Sequence, residues 1–124
     1  MMKKDELNNI LIKLQSSSND FEASAVVSED GLMIASLLPQ GNDETQIAAM
    51  SAAIMTMGKK AAEELKRGNL QQIFVKGDDG YVVIMQAGPH AVILALARED
   101  AKLGLIFLGL SRAAEETSKA LESI

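Results

Sequence analysis

The chain has 124 residues, 48% of them hydrophobic, with a formal net charge of −5, one histidine and no cysteine or tryptophan. That length and apolar share suit one compact domain with a single core and exclude wholesale disorder. Acidity with few aromatic rings argues against nucleic acid, the lack of cysteine excludes disulfides and thiolate chemistry, and no stretch is long and apolar enough to span a bilayer.

The opening Met1-Met2-Lys3-Lys4-Asp5-Glu6 lacks the apolar run of a signal peptide, so a soluble, cytoplasmic chain without membrane insertion is expected. Residues 3–17 read as an amphipathic helix, with Leu7, Ile10, Leu11 and Leu14 at helical spacing. Ser16-Ser17-Ser18-Asn19-Asp20 ends it. Residues 22–28 alternate as a strand, and Asp30-Gly31 predicts a two-residue type I′ hairpin turn into a second strand over 32–38.

Pro39 and Gly41 release the chain into a helix whose N-cap candidates are Asn42 and Asp43. Its first half, residues 46–58, carries no charge, proline or aromatic residue. Ile47, Met50, Ile54, Met57, Ala61 and Leu65 form an apolar stripe expected to seat it on a sheet. Ala49, Ala52, Ala53 and Thr56 face away and are all small. A helix that is apolar all round is normally buried, and this short chain has few elements left to cover it, so a second protein surface is expected there. Gly68 is placed to take the left-handed position after its end.

Residues 70–76 read as an edge strand too apolar at Ile73-Phe74-Val75 to stay uncapped. A turn at Gly77-Asp78-Asp79-Gly80 leads to a strand over 81–87, and Gly88-Pro89 to another over 91–97. Both are apolar on each face and so are expected to be central, with layers above and below. Asp100 is the expected N-cap of a last helix over about 101–121, apolar through Leu103, Ile106, Leu110, Ala113, Thr117 and Ala120, and widened by Leu105 and Leu108. Short connections then require a five-stranded, mostly antiparallel sheet with helices on both faces: a three-layer α/β/α sandwich of the α+β class, in the order α-β-β-α-β-β-β-α, within one domain over 1–124.

No catalytic constellation emerges. His90 sits in a Gly-Pro-His turn with no orienting partner evident, the serines lack a nucleophile-elbow pattern, and no residues have metal-ligand spacing. Glycines near Gly77 and Gly80 are not followed by Lys-Ser/Thr, so no phosphate loop is expected. Arg67, Arg98 and Arg112 could serve as a trans-acting arginine finger, although their settings favour ordinary surface and capping roles. No enzyme activity of the chain itself, no cofactor and no metal are expected. Among the methionines, Met55 projects to the flank of its helix and is the better candidate for contact with a partner.

Val26-Val27-Ser28-Glu29-Asp30-Gly31-Leu32-Met33-Ile34-Ala35-Ser36 resembles the first hairpin of the roadblock/dynein light chain family. Ala101-Lys102-Leu103-Gly104-Leu105-Ile106 is similar to that family's entry into its last helix, and Arg112-Ala113-Ala114-Glu115-Glu116 to its continuation. The resemblance implies a profilin-like, longin-like fold and a homodimer made by pairing the strand after the central helix and packing the two central helices together. It implies a dimer interface at Ala49, Ala52, Ala53, Thr56, Gln71, Ile73 and Val75, and partner contacts at Ala48, Met55 and Lys59. The implied partner is a Ras-like small GTPase held on the paired helices, its GTP hydrolysis stimulated by reshaping of its switch region. Phe107-Leu108-Gly109 departs from relatives, which more often carry a charge there, and points to an extra contact. A reading of another class is a small-molecule sensor that uses the sandwich as a pocket.

Overall fold

The computed structural model describes residues 3–122. Helix α1 (Lys3–Ser16) leads into strands β1 (Phe21–Ser28) and β2 (Met33–Leu37) and helix α2 (Glu44–Glu64). Strands β3 (Gln72–Gly77), β4 (Gly80–Gln86) and β5 (Ala91–Arg98) follow, and helix α3 (Leu103–Glu122) closes the fold. All five strands join one antiparallel sheet in the order β2-β1-β5-β4-β3. With α1 and α3 on one face and α2 on the other, this is the sandwich expected from the element order.

Two cores follow from alternation along the strands. Leu7, Leu11, Ile106 and Leu110 of α1 and α3 meet Val26, Val83 and Ile93 on one face. Ala48 and Met55 of α2 meet Ala25, Val27, Ile84, Val92 and Leu94 on the other. Interior strands β1, β5 and β4 are therefore apolar on both sides, whereas β3, at the edge, is exposed along most of its length.

Three local features differ from expectation. The β1–β2 turn is not type I′. The Ser28 amide donates to the Leu32 carbonyl at 2.9 Å and the Gly31 amide to the Ser28 carbonyl at 3.0 Å, so Glu29, Asp30 and Gly31 form a three-residue loop. Only Gly31, at φ +86°, takes the left-handed region, while Asp30 does not. This is the pattern of a turn closed by a glycine bulge, and it spares Asp30 a positive φ.

Helix α2 is capped two residues earlier than predicted, and Gly68, at φ +90°, takes the left-handed region beyond that cap. Lys66, at φ 58°, occupies the left-handed position, its amide donating to the Glu63 carbonyl and that of Arg67 to the Ala62 carbonyl. These are the two bonds of a Schellman cap, and they satisfy carbonyls that the helix would otherwise leave open. Asp100 does not cap α3; it pairs instead with Arg98 Nε at 3.2 Å. The amide of Lys102, just before the helix, donates to Asp20 Oδ2 at 3.1 Å, so a carboxylate from the α1–β1 loop does the capping across the fold.

Candidate functional site

Helix α2 begins where expected, with the Asp43 side chain accepting the Gln46 amide at 3.1 Å. Its rotation about its own axis differs from the expected one. Ala48, Ser51 and Met55 are the residues buried on the sheet, flanked by partly buried Ile47 and Ile54. Ala48 and Met55, expected as partner contacts, are 1% and 3% exposed and belong to the core. Of the stripe expected to seat the helix, Ile47 and Ile54 touch the sheet, but Met50, Met57 and Leu65 are 50%, 66% and 68% exposed. Because residues 46–58 are apolar on every side, hydropathy could not choose the buried face. Closeness of approach chose it: Ala48 and Ser51 are small enough to sit on the branched side chains of β1 and β5, and Ser51 Oγ satisfies itself by donating to the Ile47 carbonyl at 2.8 Å.

Two glycines define the flanks of α2. Gly31 in the β1–β2 turn lies against Ala48, Ala49 and Ala52. Gly58 lies under Ile73 and Leu70, and any β-carbon there would collide with Ile73 Cδ1. At 100° per residue, Ile54 and Ala61 fall within about 60° of Gly58, and Met50 and Met57 follow at about 80–100°, turning from that flank towards the outward side of the helix. Ala49, Ala53 and Thr56 are exposed on the remaining side, while Ala52 is half-buried beside Gly31. Lys59 is exposed, over a cleft it shares with Glu63 and Lys66. The helix rests mainly on β1, β2 and β5, which leaves the β3 end of that sheet face less covered.

On β3, Ile73 is half-buried against the α2 side and Val75 is exposed; Gln71 lies just outside the strand. Phe74, named with Ile73 and Val75 as too apolar for an edge but not placed in the expected interface, points to the opposite face, its ring 5.8 Å from Phe107 of α3 and 6.5 Å from Tyr81. Lys76 Nζ sits 5.0 Å from the centre of the Tyr81 ring. Alternation from Ile73 would have revealed the side Phe74 takes, once α2 was known to lie over Ile73. Phe74 and Val75 remain about half exposed, as do Leu105 and Leu108 on α3. The two leucines therefore do not widen the buried face as expected.

The surroundings offer little for chemistry. His90 Nδ1 lies 3.0 Å from Glu29 Oε1, but both side chains are exposed at the turns they link. Arg67 Nε donates to the Leu65 carbonyl at the end of α2, Arg98 holds Asp100, and Arg112 lines a groove between α1 and α3. Among the described residues no cluster of carboxylates and histidine could hold a metal, and no helix is long and apolar enough to cross a membrane. The larger clefts, about 690 and 750 Å³, are open and lined by lysine, glutamate and glutamine as much as by apolar side chains. A sensor pocket would be more enclosed and more apolar.

A family model described as Roadblock/LC7 domain matches residues 7–97. Uncharacterized protein MJ1340 of Methanocaldococcus jannaschii is 32% identical over 110 residues, spanning 89% of this chain and 95% of its own. Among solved structures, the gliding protein mglB of Thermus thermophilus superposes with a TM-score of 0.90 at 18% identity, over 100% of this chain and 94% of its own. Myxococcus xanthus MglB superposes with a TM-score of 0.88 at 22% identity, over 96% and 97%. At such identities these two likenesses speak for the fold.

Proposed function

Since this chain belongs to the Roadblock/LC7 domain family, we propose that it is a homodimeric regulator and scaffold that holds a Ras-like small GTPase and stimulates its GTP hydrolysis. The observation that carries the reading is a continuous surface: an unpaired strand, β3, lies beside a helix flank that exposes Met50, Met57 and Leu65. A second copy, related by a two-fold axis, supplies both a strand for the edge and an apolar flank for the helix.

The magnitudes favour such a pair. Met50, Met57, Leu65, Phe74 and Val75 are each about half exposed or more, so covering one gains roughly 1 kcal/mol. Counted in both copies they give about 10 kcal/mol, of the order of the roughly 4–15 kcal/mol lost in freedom on association. Backbone hydrogen bonds along β3 add to that.

With the Met50–Met57–Leu65 flank against its twin, the small residues Ala49, Ala53 and Thr56 turn away from the sheet. They form the top of the paired helices, where a globular partner can approach closely, with Lys59 beside them. This moves the small-residue face from the dimer contact to the GTPase contact. The test is to immobilise the chain, recover small GTPases from the native extract, and measure their GTP turnover with and without it. Accelerated turnover, lost in Ala49→Glu while the dimer persists, is the expected result. A dimer that retains no GTPase would remove the partner assignment.

A further inference from the structure

We infer that a second copy adds to β3 in one register, with the two-fold axis through Phe74, and that this brings Phe74 and Phe107 of both copies into an aromatic seam on the face opposite α2. The inference rests on the self-association reading and goes beyond it, naming which strand residues meet and adding α3 to the contact.

Hydrogen-bond direction along β3 follows from its neighbours. The Ala87 amide donates to the Ala91 carbonyl at 2.8 Å, so in β4 the odd-numbered residues turn their backbone groups towards β5 and the even-numbered ones towards β3. Gly80, Val82 and Ile84 pair with Gly77, Val75 and Ile73. The backbone groups of Gln72, Phe74 and Lys76 therefore face the open edge.

An antiparallel twin must match outward-facing residues with outward-facing residues, which restricts the axis to a residue of β3. Centred on Phe74, the pairs are Gln72 with Lys76, Phe74 with Phe74, and Lys76 with Gln72, so all three outward residues are matched. Centred on Ile73 or Val75, only two of the three find a partner within the strand. A shift one residue further, to Lys76, would oppose two lysines. The Phe74 register also sets Ile73 against Val75 of the other copy, apolar against apolar, on the α2 face.

The two faces of the seam differ in kind. On the α2 side it is aliphatic. On the other side Phe74 already meets Phe107 edge-on and remains 49% exposed. Directly opposed residues of a hydrogen-bonded pair have Cα atoms about 5.5 Å apart, so the two Phe74 rings touch and close the exposed side of each Phe74–Phe107 pair. This gives a use to Phe107, half-buried at a surface position of α3.

Cysteine cross-linking reads the register directly, because the natural chain has no cysteine. Ile73→Cys and Val75→Cys chains are prepared separately, then mixed, exchanged and mildly oxidised, with mass in solution measured alongside. In the Phe74 register the thiol at position 73 of one copy faces the thiol at position 75 of the other. They form a non-hydrogen-bonded pair with Cα atoms about 4.5 Å apart, within disulfide range. Two thiols both at position 75 would lie on Cα atoms about 8 Å apart, too far to bridge. The expected result is a covalent dimer from the mixture and none from either variant alone. Cross-linking of Val75→Cys or Ile73→Cys by itself would overturn the register, and so would a dimeric mass with no cross-link in any tube. A monomeric mass would overturn the self-association reading beneath it. As a second readout, Phe107→Ala should raise the dimer dissociation constant about tenfold while leaving the fold intact; an unchanged constant would remove α3 from the seam.

Discussion

Replacing Met50 and Met57 together by glutamate should convert the protein to a monomer without unfolding it. Both side chains are half exposed or more in a single copy, so the new carboxylates stay in water there and cost that copy little. In a pair, four methionines lose their burial, at roughly 1 kcal/mol each, and four carboxylates must be desolvated without partners. A loss of at least about 4 kcal/mol raises the dissociation constant about a thousandfold. Sedimentation equilibrium across micromolar concentrations, with circular dichroism to verify the fold, measures it. The control is Ala49→Glu with Thr56→Glu, which adds the same charge to the same helix about 80–120° round from the two methionines, towards the Gly31 side, and should leave the dimer intact. A dimeric Met50/Met57 variant, or a control that falls apart, would refute the orientation of α2 assigned to the interface.

Other outcomes test the local physics. Lys66→Gly should stabilise the fold by about 0.5–1 kcal/mol in urea unfolding, because glycine adopts the left-handed cap without the penalty that lysine bears there. Asp20→Ala should cost about 1 kcal/mol by removing the acceptor of the Lys102 amide at the start of α3. Gly58→Ala should gain little on its own, since its methyl meets Ile73 Cδ1, but should stabilise more strongly in an Ile73→Val background, where that atom is absent and helix propensity of about 1 kcal/mol is free to show. Additive unfolding energies in that double-mutant cycle would contradict the contact.

Element order was legible because each strand and helix announces itself by period and by its bounding turns. Asp43 among the two cap candidates of α2, β3 as the edge, the Leu7–Leu11–Leu14 face of α1 and the Ile106–Leu110 face of α3 followed from local pattern, although Leu105 and Leu108 did not join that last face. What was not legible depended on distant residues. Asp20 caps α3 across the fold, so Asp100, adjacent in sequence, was the wrong choice. Lys66 rather than Gly68 takes the left-handed cap, because the helix stops where its last carbonyls can be closed and not where the glycine stands. The rotation of α2 was beyond hydropathy altogether: with apolar residues on every side, the choice fell to the small Ala48 and Ser51 over the crowded strands. That choice moved Met55 inward and Met50 and Met57 outward, and with them the proposed interface from the alanine side to the methionine flank.

Everything proposed for the pair turns on whether one copy can exist alone in water with β3 unpaired. Sedimentation equilibrium of the unmodified chain at micromolar concentration answers this most directly. A mass of twice 13.3 kDa is predicted; a mass of 13.3 kDa that persists as the concentration rises would contradict it.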